Sequence, residues 1–456
     1  MIGDELIYNS LVDIVGKDSV SNRQEELYMY SRDPGAQPPR KVDYVVMPKT
    51  VEEVQKIVIL ANKGKIPITP MGGGLTLSAL TVPIKGGIVL DMKRMDKIIE
   101  VNEKSKYAIV EAGVSQGMLK SYLEKNYPHL QHSTPEAPPM ATIVGNALIC
   151  GHGHLTSMHD INSNMINGME VVLPTGEICK IGSCSISPYW FTRGPLPDLA
   201  GLFVGWFGTT GIVTKISIQL FPNPRLRDLV VFSTDDPDSL PEIIFRVFQT
   251  EIAENFFIIA QDKPDWMYGH IYIVILITGN SEQEFELKKR ELTGMFDERV
   301  EFMEETPPAF RKRFLDVPPF AATAADFAKG GGFEYVGGIL PIEEIPKAWR
   351  GTFEIVRRYK VVFSIAVQPL DCGHSVMFGP IYSFNRAHEE DIERVRKIMG
   401  DSNKMILELG GILWKAELPG QRLMMERMDA NTLELMKKVK KALDPNGIMN
   451  PGNWGD

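Results

Sequence analysis

The chain has 456 residues, of which 44% are hydrophobic, so it carries enough apolar material for two or three packed domains. Its 49 basic and 58 acidic side chains give a net charge of −9 without a basic block or stripe, which argues against a nucleic-acid partner. No apolar run approaches the length of a membrane-spanning helix, and the N-terminal residues lack the pattern of a secretory signal.

The N-terminal part predicts alternating helices and strands. Helices are expected over residues 4–15 and 23–29, and a strand is expected over residues 44–48. An amphipathic helix then follows Thr50, which can cap it, and Glu53 stands at the capping-box position. We therefore expect a strand, a helix and a second strand, at residues 66–68, in this order.

A glycine triplet, Gly72-Gly73-Gly74, follows that second strand. Residues without side chains leave the backbone N–H groups bare, and converging N–H groups form a site for an anion such as a pyrophosphate. The motifs G-x-G-x-x-G and G-x-x-x-x-G-K-[ST] are both absent, so the two commonest nucleotide-binding folds do not apply. The triplet predicts a phosphate site in a different nucleotide-binding fold, although such loops also occur without a ligand.

The remaining elements divide the chain into two kinds of structure. Strands at 87–91 and 107–111 and a helix at 118–125 continue a mixed α+β pattern up to residue 222. After residue 224 the order strand, helix, strand, strand, helix occurs twice, which predicts one antiparallel sheet covered by helices on one face. The predicted elements of these two units are residues 229–232, 239–250, 256–260, 272–277 and 281–295, then 335–341, 342–359, 362–367, 376–382 and 387–399. Residues 304–332 form a long connection between the units.

Four separated motifs carry a family resemblance. Residues 142–154 and 167–177 contain the first, which ends in a strand closed by a glycine turn, and residues 70–78, 201–215 and 442–452 contain the others. Taken in their order along the chain, these motifs resemble the FAD-linked oxidoreductases of the vanillyl-alcohol oxidase and p-cresol methylhydroxylase superfamily, which includes D-lactate and glycolate dehydrogenases.

The resemblance implies an α+β fold with two parts. It implies an FAD-binding domain of the p-cresol methylhydroxylase type, built from two α+β subdomains, at residues 1–224. A cap domain with an antiparallel sheet and helices, made of two ferredoxin-like units, is expected at residues 225–409. Residues 410–456 are expected to return to the FAD-binding domain.

The resemblance also implies which residues bind FAD. The glycine triplet and Thr76 are expected to hold the pyrophosphate, the region from Thr142 to His154 to line the flavin, and Ile212 and Val213 to close over the adenosine, where they are also ordinary core residues. The full expected set is Pro70, Met71, Gly72, Gly73, Gly74, Leu75, Thr76, Leu77, Ser78, Pro135, Glu136, Thr142, Gly145, Asn146, Gly151, His152, Gly153, His154, Gly211, Ile212, Val213 and Asn450. Met71 stands where some branches carry a basic residue or a histidine, so we expect dissociable FAD.

His152, His154, His159 and Asp160 form the densest group of candidate metal ligands. The group coincides with the expected flavin loop, so we interpret these side chains as loop histidines and predict no metal. The following residues begin like a calcium loop, but Met165 replaces the required glycine and Val171 the final glutamate.

Three residues are candidates for the chemistry itself. The lactate and glycolate branch carries a metal-binding histidine pair and a G-E-H-G motif, whereas this chain has His374 alone and no such motif. Trp414 and Lys415 stand near a position where the phenol-oxidising branch has a Tyr-Arg pair, and would give an aromatic wall and a cation for an anionic substrate. A solvated Lys415 is the alternative. His374 is a candidate base, with a core or loop histidine as the alternative.

We therefore expect a cytoplasmic FAD-dependent dehydrogenase that oxidises a hydroxyl-bearing small organic acid, such as D-lactate or glycolate, by hydride transfer to the flavin. Oxidation of a 4-hydroxybenzylic compound and a flavin-bearing relay subunit of a larger redox complex are the alternatives. The four cysteines lack C-x-x-C spacing and cannot supply an iron–sulfur cluster of the usual spacing. Electrons are therefore expected to pass to a separate iron–sulfur protein or electron-transfer flavoprotein.

Overall fold

The computed structural model describes residues 4–261, 267, 269–296, 300–315 and 331–455. Most of the predicted connection 304–332 lies outside the described residues. The helices are α1 Asp4–Val15, α2 Gln24–Tyr30, α3 Val51–Gly64, α4 Gln116–Asn126, α5 Ile143–Leu148, α6 Thr156–His159, α7 Leu240–Phe248, α8 Glu282–Thr293, α9 Pro308–Leu315, α10 Ile345–Tyr359, α11 Glu389–Glu408, α12 Leu418–Arg427 and α13 Ala430–Leu443.

The strands form three larger sheets and one small pair. They are β1 Val20–Ser21, β2 Tyr44–Val46, β3 Ile68–Met71, β4 Ile88–Asp91, β5 Ile98–Asn102, β6 Tyr107–Glu111, β7 Leu130–Gln131, β8 Ile166–Val172, β9 Ile178–Gly182, β10 Ile212–Gln219, β11 Phe221–Pro222, β12 Leu226–Thr234, β13 Ala253–Gln261, β14 Ile271–Gly279, β15 Glu301–Phe302, β16 Gly331–Tyr335, β17 Gly338–Leu340, β18 Phe363–Leu370, β19 Ser375–Asn385 and β20 Ile412–Leu413.

The first sheet has the order β1-β2-β4-β3, with β2, β4 and β3 parallel. Consecutive parallel strands need a crossover connection, and α3 provides it between β2 and β3, which lie on either side of β4. Helix α3 packs its apolar stripe into the core, where Val54, Ile57, Val58 and Ala61 are buried. The predicted cap is confirmed, because Thr50 Oγ1 accepts a hydrogen bond from the Glu53 N–H at 3.3 Å. Strand β3 ends at Met71, so the glycine triplet follows it directly.

Removing the cap of α3 should lower stability measurably. We expect Thr50→Ala to reduce the free energy of unfolding by about 1 kcal/mol, because one N–H at the helix start loses its acceptor. Urea unfolding followed by circular dichroism measures the effect, and Thr50→Ser, which keeps the hydroxyl, is the matched control. An unchanged unfolding midpoint for Thr50→Ala would show that the cap contributes nothing.

The second sheet is antiparallel, in the order β5-β6-β10-β8-β9. Its buried face packs against the first sheet, so that Ile57 and Ile88 share one apolar core with Val110, Met169 and Ile216. The chain thus brings the end of β3 and the start of β10 towards each other.

The third sheet has the order β15-β12-β14-β13-β18-β19-β17-β20, and β16 pairs with β19. The two predicted units join through the antiparallel pair β13 and β18, where Ile258 lies opposite Val367. The expected antiparallel sheet is confirmed. The predicted strand 335–341 is instead two strands, which pair with β19 in one register, Tyr335 with Ile381 and Gly338 with Phe378. The ladder is interrupted at Val336, whose N–H donates to Pro380, because a proline has no N–H to donate in return.

Helices α7, α8, α10 and α11 pack on one face of this sheet. The predicted helices on one face are not the whole cover of the sheet, because Phe310 and Phe314 of α9 pack against Leu229 and Phe257 on the other face. The sequence pattern missed α9 since it lies in the Pro- and Ala-rich connection.

The C-terminal segment connects the two parts of the fold. Leu413 in β20 pairs with Gly338 of the third sheet, whereas Met449 forms a parallel bridge with Ile68 in the first. The predicted domain boundaries stay a prediction. In the part of the chain that the structure describes, no helix has the length and apolar character needed to cross a bilayer.

Candidate active site

A cleft with an empty volume of about 1100 Å³ lies between the end of β3, the start of β10 and α5. This volume includes open solvent at the mouth of the cleft. Its lining includes these predicted residues: Pro70, Met71, Gly72, Gly73, Gly74, Leu75, Thr76, Thr142, Gly145, Asn146, Gly211, Ile212, Val213, Trp414 and Lys415.

The glycine triplet lies against the 140–142 segment. A Cβ atom on Gly72 would lie 2.3 Å from Thr142 Oγ1, and a Cβ atom on Gly73 would lie 2.7 Å from the Met140 carbonyl oxygen. Gly74 has a φ of +68°, which side chains disfavour. These positions leave room only for glycine, so bare backbone borders the cleft, as a bound pyrophosphate requires.

The part of the cleft wall formed by Phe207 is supported by residues that do not line the cleft. Phe207 lines the cleft and stacks on Trp454, with ring centroids 5.3 Å apart and planes 8° apart. Asn450 Nδ2 donates hydrogen bonds to the carbonyls of Phe207 at 2.7 Å and Leu80 at 3.0 Å. Asn450, predicted to bind the cofactor, is therefore a brace behind the wall and does not line the cleft.

Several other predicted residues also lie outside the cleft lining: Leu77, Ser78, Pro135, Glu136, Gly151, His152, Gly153 and His154. Leu77 and Ser78 turn into the protein interior, where both are buried. His154 is occupied by the protein, since Nδ1 accepts a hydrogen bond from the Thr134 N–H and Nε2 lies 3.1 Å from Gln131 Oε1.

His374 is also separated from the cleft. It lies in the turn between β18 and β19 and borders a second cavity with Phe245 and Phe248, which shares no lining residue with the cleft. The N–H groups of Asp371 and Cys372 in this turn donate to the carbonyls of Thr156 and Ser157, which anchors the turn. The structure therefore does not support His374 as the base.

Lys415 lies at one end of the cleft and is only 7% exposed, so the alternative of a solvated lysine is wrong. Its Nζ lies 4.6 Å from the ring centroid of Trp414 and 5.7 Å from that of Tyr335. Trp414 is fixed, because its Nε1–H donates to the carbonyls of Ile149 and Cys150 at 2.8 and 2.9 Å. Within the described ranges, no residue forms a hydrogen bond or ion pair with Lys415 Nζ.

Two carboxyl groups act on Lys415 from a distance, but neither forms a hydrogen bond or ion pair with its Nζ. Burial lowers the pKa of Lys415 to about 8, while the charges of Glu334 and Asp33 act in the opposite direction. Burial also raises the pKa of Glu334 well above its usual range. Asp33 accepts hydrogen bonds from the N–H groups of Gly35 and Ala79. An anion bound in the cleft would meet the charge of Lys415.

Some residues around Trp414 and Lys415 were not predicted as site residues from the sequence. Tyr335 packs edge-on against Trp414, with ring centroids 5.5 Å apart, and Arg313 of α9 pairs with Glu136 at 2.5 Å between Nε and Oε1. Gln368 of β18 lies beside His152. Each of these contacts joins residues that are far apart in the chain, so no local pattern could predict them.

The predicted histidine group does not converge. His159 stacks on Phe221 with ring centroids 4.4 Å apart, while His152 and His154 contact other partners. Among the residues that the structure describes, no three His, Cys, Asp or Glu side chains form a group that could hold a metal ion.

Comparisons with known proteins point to one family. Residues 42–182 match a family described as an FAD binding domain, and residues 269–454 match FAD linked oxidases, C-terminal domain. The chain is 24% identical to the glycolate oxidase subunit GlcD of Bacillus subtilis, over 98% of this chain and 96% of that protein. It is also 24% identical to D-lactate dehydrogenase of Archaeoglobus fulgidus, over 94% and 95%.

A second group of relatives is named for phenolic compounds. The flavoprotein subunit of 4-cresol dehydrogenase (hydroxylating) of Pseudomonas putida is 30% identical over 51% of this chain and 45% of that protein. The crystal structure of p-cresol methylhydroxylase with substrate bound superimposes with a TM-score of 0.87 at 20% identity, over 99% of this chain and 96% of that one. At this identity the structural likeness establishes the fold.

The three sheets, the glycine-bordered cleft and the matched domains define a flavoprotein oxidoreductase. Its cofactor is FAD, and it acts on CH–OH groups. The chain belongs to the vanillyl-alcohol oxidase and p-cresol methylhydroxylase superfamily of FAD-linked oxidoreductases.

Proposed function

We propose that this protein oxidises a 2-hydroxy acid, such as D-lactate or glycolate, to the 2-oxo acid. Bound in the cleft, FAD would supply the two-electron acceptor for the hydride of the carbinol carbon. Gly72, Gly73, Gly74 and Thr76 would hold its pyrophosphate, and Thr142, Gly145 and Asn146 would contact the flavin. The names of the full-length relatives, which include glycolate oxidase and D-lactate dehydrogenase, support this substrate class.

The observation that carries the proposal is the unpaired Lys415 at the end of the cleft. A buried ammonium without a partner is unfavourable, and a substrate carboxylate would supply that partner through a charge-assisted hydrogen bond. The side chain packs on Trp414, whose indole is itself fixed, so the ammonium has a defined position. A carboxylate held there would fix the substrate relative to the flavin.

The test is a substrate panel with the FAD-loaded protein under anaerobic conditions. Glycolate, D-lactate and D-2-hydroxyglutarate are compared with vanillyl alcohol and 4-cresol, and bleaching of the flavin absorbance reports reduction. We expect bleaching by at least one 2-hydroxy acid. Bleaching by the phenols alone would reject the proposal in favour of its alternative.

The pH dependence of substrate capture should follow Lys415. Burial places the pKa of this lysine at about 8, with Glu334 and Asp33 raising it and His152 close by. The ammonium is charged below this pH and loses its proton above it, so kcat/KM for a hydroxy acid should fall as the pH rises through about 8. Steady-state assays from pH 6 to pH 10 measure this fall in kcat/KM. In Lys415→Arg the fall should move above pH 10, because arginine keeps its charge over the whole range. A wild-type profile that stays flat above pH 8 would contradict the assignment.

Oxidation of a 4-hydroxybenzylic compound is the second candidate. The observation in its favour is the group of three rings, in which His152 and Tyr335 flank Trp414 with centroids 5.1 and 5.5 Å away. An aromatic substrate would find stacking partners there, and Lys415 would meet a phenolate as readily as a carboxylate. The same substrate panel separates the two candidates.

We further propose that a separate protein, with an iron–sulfur centre or a flavin, reoxidises the bound cofactor, which is held without a covalent bond. Among the described residues, Cys150, Cys179, Cys184 and Cys372 are free thiols, as suits the cytoplasmic setting that we propose. Acid precipitation tests the cofactor bond, because dissociable FAD stays in the supernatant. Capture of the tagged protein from its native cells tests for the acceptor.

A further inference from the structure

His152 is held on one side by a glutamine whose orientation is fixed. Its Nδ1 lies 2.6 Å from Gln368 Oε1. The amide nitrogen of Gln368 donates to the carbonyl of Gly153 at 2.8 Å and to Asn255 Oδ1 at 3.0 Å. A flipped amide would bring its oxygen against two other oxygens, so the oxygen must face His152.

The orientation of Asn255 is fixed in turn by the backbone. Its Oδ1 lies 2.9 Å from the N–H of Phe256 and 3.0 Å from the hydroxyl of Ser157. A backbone N–H can only donate, so the atom facing it must be the oxygen. The imidazole therefore donates to Gln368 and Gln368 donates to Asn255 Oδ1, which also accepts the main-chain N–H of Phe256. The neutral His152 must carry its proton on Nδ1, which leaves the lone pair on Nε2.

His152 Nε2 is free to act on a substrate. Within the described part of the chain, this atom has no hydrogen-bond partner. The atom is not fully enclosed by the protein, so a substrate can reach it. The ring lies 5.1 Å from Trp414 and 6.4 Å from Tyr335, between centroids, beside the end of the cleft where Lys415 lies. Burial lowers the pKa of His152 to about 4, so the ring is neutral at physiological pH.

We propose that His152 accepts the hydroxyl proton of the substrate at Nε2, and that Gln368 and Asn255 are positioning residues that maintain the required tautomer. The O–H bond of the substrate breaks as its proton moves to Nε2. Oxidised FAD, if held by the glycine triplet, would accept the hydride as the C–H bond breaks with its electron pair, and the C–O bond would become a carbonyl. The resulting imidazolium keeps its Nδ1–H bond to Gln368. This inference rests on the proposed function in placing the substrate beside Lys415.

Nitrogen-15 NMR of histidine-labelled protein tests the tautomer without any substrate. The chain contains eight histidines, and the missing signal in His152→Asn assigns the one of interest. We expect Nδ1 protonated and Nε2 unprotonated at pH 7 in the FAD-loaded protein. A protonated Nε2 would overturn the inference whatever the substrate proves to be.

Kinetics test the role of the base. Loss of a general base lowers rates by about 100- to 10,000-fold, so His152→Ala should lower kcat by at least about 100-fold while KM and FAD affinity stay within a few-fold. His129→Asn, which changes a half-exposed surface histidine, is the matched control. The assay uses whichever CH–OH compound reduces the wild-type flavin, a 2-hydroxy acid or 4-hydroxybenzyl alcohol, so that a wrong substrate class does not obscure the result. A kcat within tenfold of wild type would overturn the inference.

Gln368→Glu separates positioning from a merely structural role. A carboxylate beside Nδ1 stabilises the imidazolium, so the acid limb of the kcat profile should move upwards by about 1–3 pH units. The second oxygen of the glutamate replaces the amide nitrogen that donates to Gly153 and Asn255, so unchanged FAD affinity first shows that the variant is folded. Gln368→Met removes the acceptor at similar volume and should lower kcat with FAD affinity unchanged. An acid limb that stays in place in Gln368→Glu would reject the positioning role.

Discussion

Replacing Lys415 by methionine is expected to lower kcat/KM for a 2-hydroxy acid by about 100-fold or more, because truncating one partner of a buried charge pair costs about 2–5 kcal/mol. Methionine has similar length and keeps the packing on Trp414, so the substitution removes the charge with little change in shape. Most of the loss should be in KM, since the carboxylate contact is made in the ground state as well as in the transition state.

Steady-state kinetics of the FAD-loaded variant measure this loss. Lys415→Arg, which keeps the charge, is the matched control and should recover part of kcat/KM. Flavin absorbance per protein should stay the same in both variants, because the lysine is assigned to the substrate. A methionine variant with the wild-type KM for the acid would show that Lys415 does not bind the carboxylate.

Adding one methyl group at Gly73 should weaken FAD binding by about 10- to 100-fold, since overpacking costs about 1–3 kcal/mol. The new Cβ atom of Gly73→Ala would lie 2.7 Å from the Met140 carbonyl oxygen. A backbone oxygen cannot rotate away as a side chain can, so either the loop or the 140–142 segment must move. The bare N–H groups would then no longer converge on the pyrophosphate.

Titration of the apoprotein with FAD, followed by quenching of flavin fluorescence, gives the affinity. Gly201→Ala is the control, because a Cβ atom at Gly201 meets no heavy atom within 4 Å and the residue does not line the cleft. Equal affinities for wild type and Gly73→Ala would contradict the assignment of the glycine triplet as the pyrophosphate site.

The sequence predicted the elements whose signals are local. Thr50 starts α3 as its capping pattern indicates, and the repeated strand and helix order gives the third sheet. Prediction failed where pairing partners decide the structure. The strand predicted over 335–341 divides at Val336 and Gly337 because Pro380 of β19, which lies opposite Val336 in the shared register, has no N–H to donate back. Such a division depends on a strand some forty residues away in the chain.

The site was predictable only in part for the same reason. The glycine triplet, Ile212, Val213, Trp414 and Lys415 belong to motifs, and all of them line the cleft. His374 was a wrong candidate for the base, because a motif position could not show that the turn carrying it faces another cavity.

The relay behind His152 was not predictable from any motif. It joins Gln368 to a histidine 216 positions earlier in the chain and to Asn255, 113 positions earlier. None of the three residues has a neighbour that signals the contact. The paired strands β13 and β18 bring Asn255 and Gln368 together, and the segment between α5 and α6 brings His152 to them.

The most direct test of the account is anaerobic flavin reduction by a 2-hydroxy acid in wild-type protein and in Lys415→Met, side by side. We expect D-lactate, glycolate or D-2-hydroxyglutarate to bleach the wild-type flavin fully. Lys415→Met, with the same flavin content, should need far higher concentrations of the same acid. A wild-type flavin that stays oxidised with every 2-hydroxy acid, or one that both proteins reduce at equal concentrations, would contradict it.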